Sequence, residues 1–176
     1  MVSAIELEAF IRAIPDFPVP GILFRDITPL LGDATALDTA VTRLAAPFDP
    51  GAVDLVIAAE ARGFILGAAL ARELKAGFVP ARKPGRLPAT TTRAEYELEY
   101  GVDALELHAD ALTPGAGVLV HDDLLATGGT AGALCQLVTG SGARVVGCAF
   151  VVELTALGGR ERLAPHPVHS LIDFGS

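Results

Sequence analysis

The sequence predicts an α/β fold, in which a mainly parallel, twisted sheet is flanked by helices. Short apolar runs alternate along the chain with stretches of helical periodicity, which is the pattern of strand–helix–strand units. The hydrophobic fraction is 51% and the charged fraction 19%, which agrees with a sheet buried on both faces or with a surface hidden by a partner subunit. A chain of 176 residues predicts one domain, residues 1–176.

The N-terminal part of the chain predicts two helices with an irregular segment between them. Ser3 and Glu6 have the spacing of a capping box, which predicts a short helix over residues 5–14. Prolines and a glycine then predict irregular structure over residues 17–31. Asp33 is the expected N-cap of the second helix.

The rest of the chain holds the predicted sheet. Four short apolar runs have the length and composition of buried strands, and they cover residues 53–59, 77–81, 118–121 and 144–152. Helical periodicity follows the first run through about residue 73 and follows the third run over residues 130–138. This alternation predicts parallel neighbours joined by helices.

A different pattern separates the second predicted strand from the third. Residues 83–92 are rich in Pro, Gly and Thr and have no apolar periodicity, which predicts a long mobile loop. Residues 95–107 then alternate between apolar and polar side chains. Such alternation predicts a two-stranded flap with one face in water.

Charge and hydropathy exclude several kinds of partner. A net charge of −8 argues against nonspecific nucleic-acid binding, because a phosphate backbone attracts clustered Lys and Arg. No stretch approaches the roughly 20 apolar residues of a membrane helix, and the first residues do not resemble a signal peptide. We therefore expect a cytoplasmic protein without a membrane partner.

Cys135 and Cys148 lie within apolar runs and are predicted to be buried, unreactive thiols.

The strongest functional signal is the string VLVHDDLLATGGT at residues 118–130. An apolar strand delivers Asp122 and Asp123 to the edge of the sheet where ligands bind in open α/β folds. Gly128 and Gly129 then let the backbone approach a ligand, and the N–H groups of the following helix can bind a phosphate. Carboxylates accept hydrogen bonds from sugar hydroxyls. The string therefore predicts a ribose 5-phosphate site, whereas a solvated Gly-rich turn would explain only its glycines.

At this string the chain resembles the type I phosphoribosyltransferases, and further segments resemble the adenine phosphoribosyltransferases among them. These segments occur in the family's order over nearly the whole chain, and they are FPVPGILFRDITP, EARGF, RKPGRLP, YELEYG and VEL. One departure is His121, where the family usually has an aliphatic residue. The resemblance implies a type I phosphoribosyltransferase fold, with a small N-terminal hood over about residues 1–34 and a flexible two-stranded lid over about residues 83–104.

The resemblance also implies the reaction. The family transfers the 5-phosphoribosyl group of phosphoribosyl diphosphate (PRPP) to adenine, which gives AMP and diphosphate in purine salvage. Mg²⁺ is expected to bind mainly through substrate and water, with no direct protein ligand. A homodimer is implied as well, with adenine and PRPP as the small-molecule partners.

The residues that the resemblance assigns to PRPP lie in three places. The ribose hydroxyls and the 5-phosphate are assigned to Asp122, Asp123, Ala126, Thr127, Gly128, Gly129 and Thr130. The diphosphate is assigned to Arg62, Arg82 and Lys83, of which the last two can reach the site of a neighbouring subunit. Tyr100 is expected to pack over the ribose phosphate when the lid is shut. A cis peptide between Glu60 and Ala61 is also implied.

The adenine site is assigned to the hood and to the end of a strand. Phe24 is expected to stack on the purine, and backbone groups near Leu23 and Arg25 to read its exocyclic amine. Leu154 closes the other face. Glu99 is assigned as the general acid or base near the imidazole edge of the base. Taken without the resemblance, Phe24 is an ordinary core aromatic and Arg62 a residue in a surface ion pair.

Three alternatives stay open at this point. A related transferase could use hypoxanthine, guanine or another base, although the hood segment and LEYG argue against it. A non-catalytic PRPP-sensing regulator could use the same fold, although the net charge of −8 and the retained Glu99 argue against it. An inactive paralogue would not require the complete set of motifs.

Overall fold

The computed structural model describes residues 6–98 and 101–175 of the chain. Its strands, in chain order, are β1 (Arg12–Pro15), β2 (Leu23–Asp26), β3 (Leu55–Ala59), β4 (Gly77–Ala81), β5 (Thr91–Leu98), β6 (Gly101–His108), β7 (Gly117–Leu125), β8 (Arg144–Leu154) and β9 (Val168–Phe174). Its helices are α1 (Thr28–Gly32), α2 (Ala34–Ala45), α3 (Gly63–Glu73), α4 (Gly129–Gly140) and α5 (Gly159–Arg162). Single 3-10 turns cover Leu7–Phe10, Pro50–Ala52 and Thr155–Leu157.

The centre of the fold is a parallel sheet in the order β4-β3-β7-β8-β9. One face packs against α4 and the β5-β6 pair, and the other face packs against α2 and α3. Because both faces are covered, the central strands are built on continuous apolar runs instead of strict alternation, and the polar residues His121, Asp122 and Asp123 come late in β7. The predicted fold class, a mainly parallel sheet flanked by helices, is confirmed.

The central sheet contains one strand, β9, in addition to the four that the sequence predicts for it. β9 pairs in parallel with β8 at one edge of the sheet. Most of its residues are only half-buried, and it contains His169 and Asp173. An edge strand of this kind has no continuous apolar run, and the preceding Pro165 and Pro167 mark the region as a loop.

The N-terminal prediction is wrong in two places. The predicted helix over residues 5–14 is a single 3-10 turn followed by β1, and the predicted irregular segment contains β2 and α1. β1 and β2 form an antiparallel ribbon, in which Arg12 Nη2 lies 2.7 Å from Asp26 Oδ2. β1 is mostly exposed, and β2 runs from the exposed Leu23 to the buried Asp26, so neither four-residue strand shows the apolar alternation that would identify it. Asp33 does cap α2, because its side chain accepts hydrogen bonds from the N–H groups of Thr35 and Ala36.

The β5-β6 pair extends from the edge of the sheet. It is the two-stranded flap that the sequence predicts, its strands are antiparallel, and Leu105 and Leu107 are buried against the core that includes α4. Two main-chain hydrogen bonds between Arg82 and Glu106, of 2.8 and 2.7 Å, join the pair to the end of β4. β4 is an edge strand, a position that tolerates the missing N–H of Pro80.

Among the described residues, no helix is both long and apolar enough to cross a bilayer.

The two cysteines and His121, which the sequence singles out, are all buried. Cys135 and Cys148 are buried free thiols with their sulfur atoms 3.8 Å apart, as predicted. His121 is fully buried in β7, where its Nδ1 lies 2.9 Å from the carbonyl oxygen of Ala149 and its Nε2 has no hydrogen-bond partner. Burial lowers the pKa of His121 to about 4, so the side chain is neutral near pH 7.

Candidate active site

Polar side chains gather at the carboxyl edge of the sheet, where β3 and β7 end side by side. The chain leaves β3 toward β4 on one side and leaves β7 toward β8 on the other. The loops after these neighbouring strands therefore diverge and leave a crevice, which is the usual ligand site of an open α/β sheet. A cavity of about 220 Å³ lies there, lined by Arg62 and residues 122–131.

A wider groove of about 560 Å³ runs beside this cavity, between the β5-β6 pair, α4 and α5. It shares Gly129 with the cavity. Its lining does not include the acid pair or the turn before α4, so the smaller cavity is the better candidate for a sugar phosphate.

The turn between β7 and α4 forms one wall of the cavity. Gly128 has a φ of 79°, in the left-handed region that favours glycine, and α4 begins directly after it. A Cβ atom at this position would lie 2.9 Å from the carbonyl oxygen of Gly159, so the turn also has no room for a side chain. The first N–H groups of a helix have no partner within the helix, and the first residues of α4, Gly129 to Ala131, line the cavity. The predicted 5-phosphate residues, 126–130, are thus brought together.

The acid pair lies at the floor of the same cavity. Asp122 is half-buried, and Asp123 is 5% exposed. Burial and the neighbouring Asp123 carboxylate raise the pKa of Asp122 well above its usual range. Burial also raises the pKa of Asp123, although the Arg62 guanidinium opposes the rise. Burial and like charge therefore oppose ionisation of the pair, and hydrogen-bond donors or positive charge in the cavity favour it.

Arg62 connects the acid pair to the N-terminal ribbon. Its Nε lies 3.0 Å from Asp123 Oδ2, and its guanidinium lies 4.9 Å from the centre of the Phe24 ring. The side chain is 42% exposed, so the guanidinium stays accessible from the cavity. The peptide between Glu60 and Ala61, just before it, is cis, as the resemblance implies.

The two basic residues at the base of the predicted lid are paired with local acids. Arg82 Nη2 lies 3.0 Å from Glu60 Oε2, and Lys83 Nζ lies 2.8 Å from Asp103 Oδ2. The hydrogen bond to Asp103 raises the pKa of Lys83, and the same bond lowers the pKa of Asp103. Tyr96 Oη lies 3.3 Å from the same carboxylate oxygen. Neither Arg82 nor Lys83 lines the cavity at the acid pair.

The predicted adenine residues lie on the N-terminal ribbon and at the end of β8. Leu23 is 45% exposed, and Phe24 packs edge-on against Phe17 with ring centres 5.1 Å apart. Arg25 places its guanidinium 3.7 Å from the centre of the Phe174 ring. Phe174 is in turn the strand partner of the half-buried Leu154, so it joins the two halves of the predicted base site.

Sequence reasoning missed Phe174 and Asp103. Phe174 lies in the strand that the sequence does not predict, so its position opposite Leu154 could not be foreseen. Asp103 lies 20 residues from Lys83, and its only signal was that it is one of several acids in the predicted flap. The predicted catalytic Glu99 and the predicted ribose contact Tyr100 lie outside the described residues.

Comparisons with known proteins agree with this geometry. A sequence model of the phosphoribosyl transferase domain matches residues 33–168. The chain is 54% identical over 97% of its length to an adenine phosphoribosyltransferase of Rhodopirellula baltica, of which it covers 82%. It is also 54% identical over 96% of its length to that of Chloroflexus aurantiacus, of which it covers 98%.

Solved structures give the same result. The crystal structure of adenine phosphoribosyltransferase from Rhodothermus marinus matches with a TM-score of 0.91 and 53% identity, over 96% of each chain. The Saccharomyces cerevisiae enzyme, complexed with adenine and an imino-altritol bisphosphate, matches with a TM-score of 0.89 and 36% identity. That match covers 94% of this chain and 96% of the yeast chain.

Proposed function

Because the chain belongs to the adenine phosphoribosyltransferase family, we propose that it transfers the 5-phosphoribosyl group of PRPP to adenine and releases AMP and diphosphate, as in purine salvage. The observation that carries the proposal is the cavity after β7, where an acid pair and the start of a helix face the same space. Main-chain N–H groups suit a phosphate, and carboxylates suit the hydroxyls of the attached sugar.

PRPP binds in this proposal with its 5-phosphate on residues 126–130 and its ribose hydroxyls on Asp122 and Asp123. Hydrogen bonds donated by the hydroxyls favour the charged carboxylates, and so they oppose the pKa rise that burial causes. The acid pair is therefore more acidic with the sugar bound than without it.

The diphosphate is assigned to Arg62, Arg82 and Lys83. Each of these cations already has a carboxylate partner, so the diphosphate must compete with Asp123, Glu60 and Asp103 for them. Planar guanidinium groups favour the phosphate because they bind its oxygens in a bidentate manner. Residues 83–104 are proposed to close over PRPP and to exclude water from the reacting carbon.

The described residues fit a Mg²⁺ ion that is held mainly by substrate and water. Asp122 and Asp123 line the cavity and offer acceptors for its water ligands. When bound, Mg²⁺ would supply positive charge beside the leaving diphosphate.

The chemical step replaces one bond to the anomeric carbon by another. The bond from C1 to the diphosphate oxygen breaks with its electron pair, and N9 of adenine forms the new bond to C1. The N9 proton passes to a base, for which Glu99 is our candidate. Phe24, Leu154 and the backbone near Leu23 and Arg25 are proposed to hold the base within a hood formed mainly by residues 1–34. We also propose a cytoplasmic homodimer, in which Arg82 and Lys83 can serve the neighbouring site.

The decisive experiment mixes the protein with PRPP, Mg²⁺ and one of adenine, hypoxanthine or guanine. We expect AMP and an equal amount of diphosphate with adenine, at a rate at least about a hundredfold above either other base. Product with another base only would identify the related transferase, and PRPP binding without turnover would identify the regulator.

The ribose assignment has its own test. Asp122→Asn and Asp123→Asn should each raise the KM for PRPP about tenfold or more, because the hydroxyls lose a charged acceptor. Asp38→Asn, an exposed residue of α2, is the control and should leave the KM unchanged. Unchanged PRPP affinity in both acid-pair variants would overturn the assignment.

A further inference from the structure

A buried carboxylate lies behind the candidate site and has no part in the proposed reaction. Glu153 is 2% exposed, at the penultimate position of β8. A carboxylate this far from water is costly unless charged partners and hydrogen bonds compensate for the lost hydration. Arg160 supplies both, since its Nε lies 3.0 Å from Glu153 Oε1 and its Nη2 binds Oε2.

The hydrogen bonds around this pair reach three elements. Ser170 Oγ in β9 donates to Glu153 Oε2 at 2.6 Å, and Arg160 Nη1 donates to the carbonyl oxygen of Val168 at 2.7 Å. Burial alone raises the pKa of Glu153, but the bonds from Arg160 and Ser170 outweigh it and hold the pKa below its usual range. The pair thus stays charged and fastens α5 to the carboxyl end of β8 and to the first residues of β9.

The segment that Arg160 fastens touches the back of the phosphate-binding turn. A Cβ atom on Gly159 would lie 2.3 Å from the carbonyl oxygen of Ala126 and 2.8 Å from Leu125 Cδ1. From the other side, a Cβ atom on Gly128 would lie 2.9 Å from the Gly159 carbonyl oxygen and 3.4 Å from Arg162 Cβ. Main chain therefore rests on main chain, so a shift of α5 has to move the turn.

We propose that the Glu153–Arg160 pair is a positioning device for the 5-phosphate site, which holds α5 against residues 125–128 so that the N–H groups after Gly128 keep the geometry a phosphate needs. The inference rests on the proposed function, because it assigns the 5-phosphate to that turn. Neither side chain touches the substrate. Both act through the backbone contact between Gly159 and Ala126.

A merely structural ion pair would behave differently from a positioning pair. Loss of a structural pair lowers the unfolding temperature but leaves the ligand affinities of the folded protein as they were. Loss of a positioning pair weakens binding of ligands that carry the 5-phosphate and spares those that lack it, because only the phosphate contacts depend on the turn. AMP and adenosine differ in that one group.

The experiment compares Arg160→Met with Arg72→Met. Arg72 is an exposed residue in the last turn of α3, which ends at the opposite edge of the sheet. For Arg160→Met we expect the KM for PRPP and the Kd for AMP to rise about tenfold, with kcat within about threefold and the Kd for adenosine unchanged. Glu153→Gln should reproduce these shifts, and the double variant should be no worse than either single one, because both remove the same contact.

Two milder variants keep the inference testable if Arg160→Met does not fold. Arg160→Lys keeps the charge and should recover part of the PRPP affinity, and Ser170→Ala should raise the KM about twofold to threefold. AMP and adenosine affinities within twofold of the wild type in folded Arg160→Met overturn the inference. If Arg160→Met does not fold, unchanged affinities in both milder variants overturn it. Absence of AMP synthesis by the wild-type chain would instead reject the proposed function, and binding of ribose 5-phosphate would still test the positioning role.

Discussion

Strand β7, which carries the acid pair, favours neutral side chains, whereas the base of the lid favours charged ones. In β7, burial raises the pKa of Asp122 and lowers that of His121 to about 4, so the neutral forms are favoured. At the base of the lid, the ion pair raises the pKa of Lys83 and lowers that of Asp103, so the charged forms are favoured. Each place has an aspartate and a basic side chain, and the surroundings decide the direction in which each pKa shifts.

The difference separates two kinds of binding site. The site after β7 consists largely of backbone that is already in position, so little has to change when a phosphate enters it. The lid offers side-chain cations that nearby carboxylates occupy, so a ligand has to replace those partners. We expect substrate affinity to depend mainly on the first region, and turnover and salt sensitivity mainly on the second.

The largest expected effect comes from the flap. Glu99→Gln should lower turnover at least about a hundredfold and leave the KM for PRPP within about threefold, because PRPP is held mainly after β7. Steady-state kinetics at saturating adenine measure both quantities. Glu95→Gln is the matched control, because Glu95 lies in the same flap and is largely exposed. Unchanged turnover in Glu99→Gln removes this residue from the proposed chemistry.

The next effect belongs to the turn before α4. Gly128→Ala should raise the KM for PRPP about thirtyfold, because the left-handed backbone and the nearby Gly159 carbonyl oxygen both oppose a Cβ atom. Gly132→Ala in α4 has nothing within 4 Å of the added Cβ and serves as the control. A Gly128→Ala enzyme with normal PRPP affinity would contradict a preformed backbone site.

A third test concerns pH and the buried His121. The unfolded chain takes up a proton near the ordinary pKa of about 6.5, whereas the folded chain does so only near 4, so acid favours unfolding between these values. This residue should lower the free energy of unfolding by about 2 kcal/mol between pH 8 and pH 5. Urea unfolding of the wild type and of His121→Val at both pH values measures the difference. Equal pH dependence in the two proteins would mean that His121 is not buried as a neutral side chain.

The smallest expected effect tests the lid. Asp103→Asn should lower the KM for PRPP about twofold, because it frees Lys83 from an exposed ion pair of the kind that contributes less than about 1 kcal/mol. The change should shrink at high salt and vanish in a Lys83→Met background. A higher KM in Asp103→Asn, or the same decrease without Lys83, would show that this carboxylate does not compete with the substrate.

The same contrast explains what the sequence could predict. The lining of the phosphate cavity is nearly all one contiguous segment, residues 122–131, so its strand, acids and glycines could be interpreted together. The ion pairs at the lid join residues about 20 apart, namely Arg82 with Glu60 and Lys83 with Asp103. Those pairings depend on the strand order β4-β3-β7 and on the register of β5 and β6, which no local pattern encodes.

Burial likewise decided which strands could be predicted. β3, β4, β7 and β8 contain apolar runs long enough to identify them from the sequence, whereas β1, β2 and β9 lie at edges or in an exposed ribbon. Most of their side chains are exposed or only half-buried, so hydrophobic periodicity is weak there. The backbone contact between Gly159 and Ala126 could not be predicted from the sequence either, because the start of α5 and the turn after β7 meet only in the folded chain.

The main-chain bonds between Arg82 and Glu106 have a consequence outside the active site. An uncovered edge strand can pair with the strands of other molecules and so promote aggregation. In β4, Pro80 withholds one donor, and the attachment at Arg82 places the β5-β6 pair over the end of the strand. The β5-β6 pair, which includes much of the segment that we assign to substrate closure, therefore also shields one border of the sheet, and shortening the pair would expose the chain to self-association at high concentration.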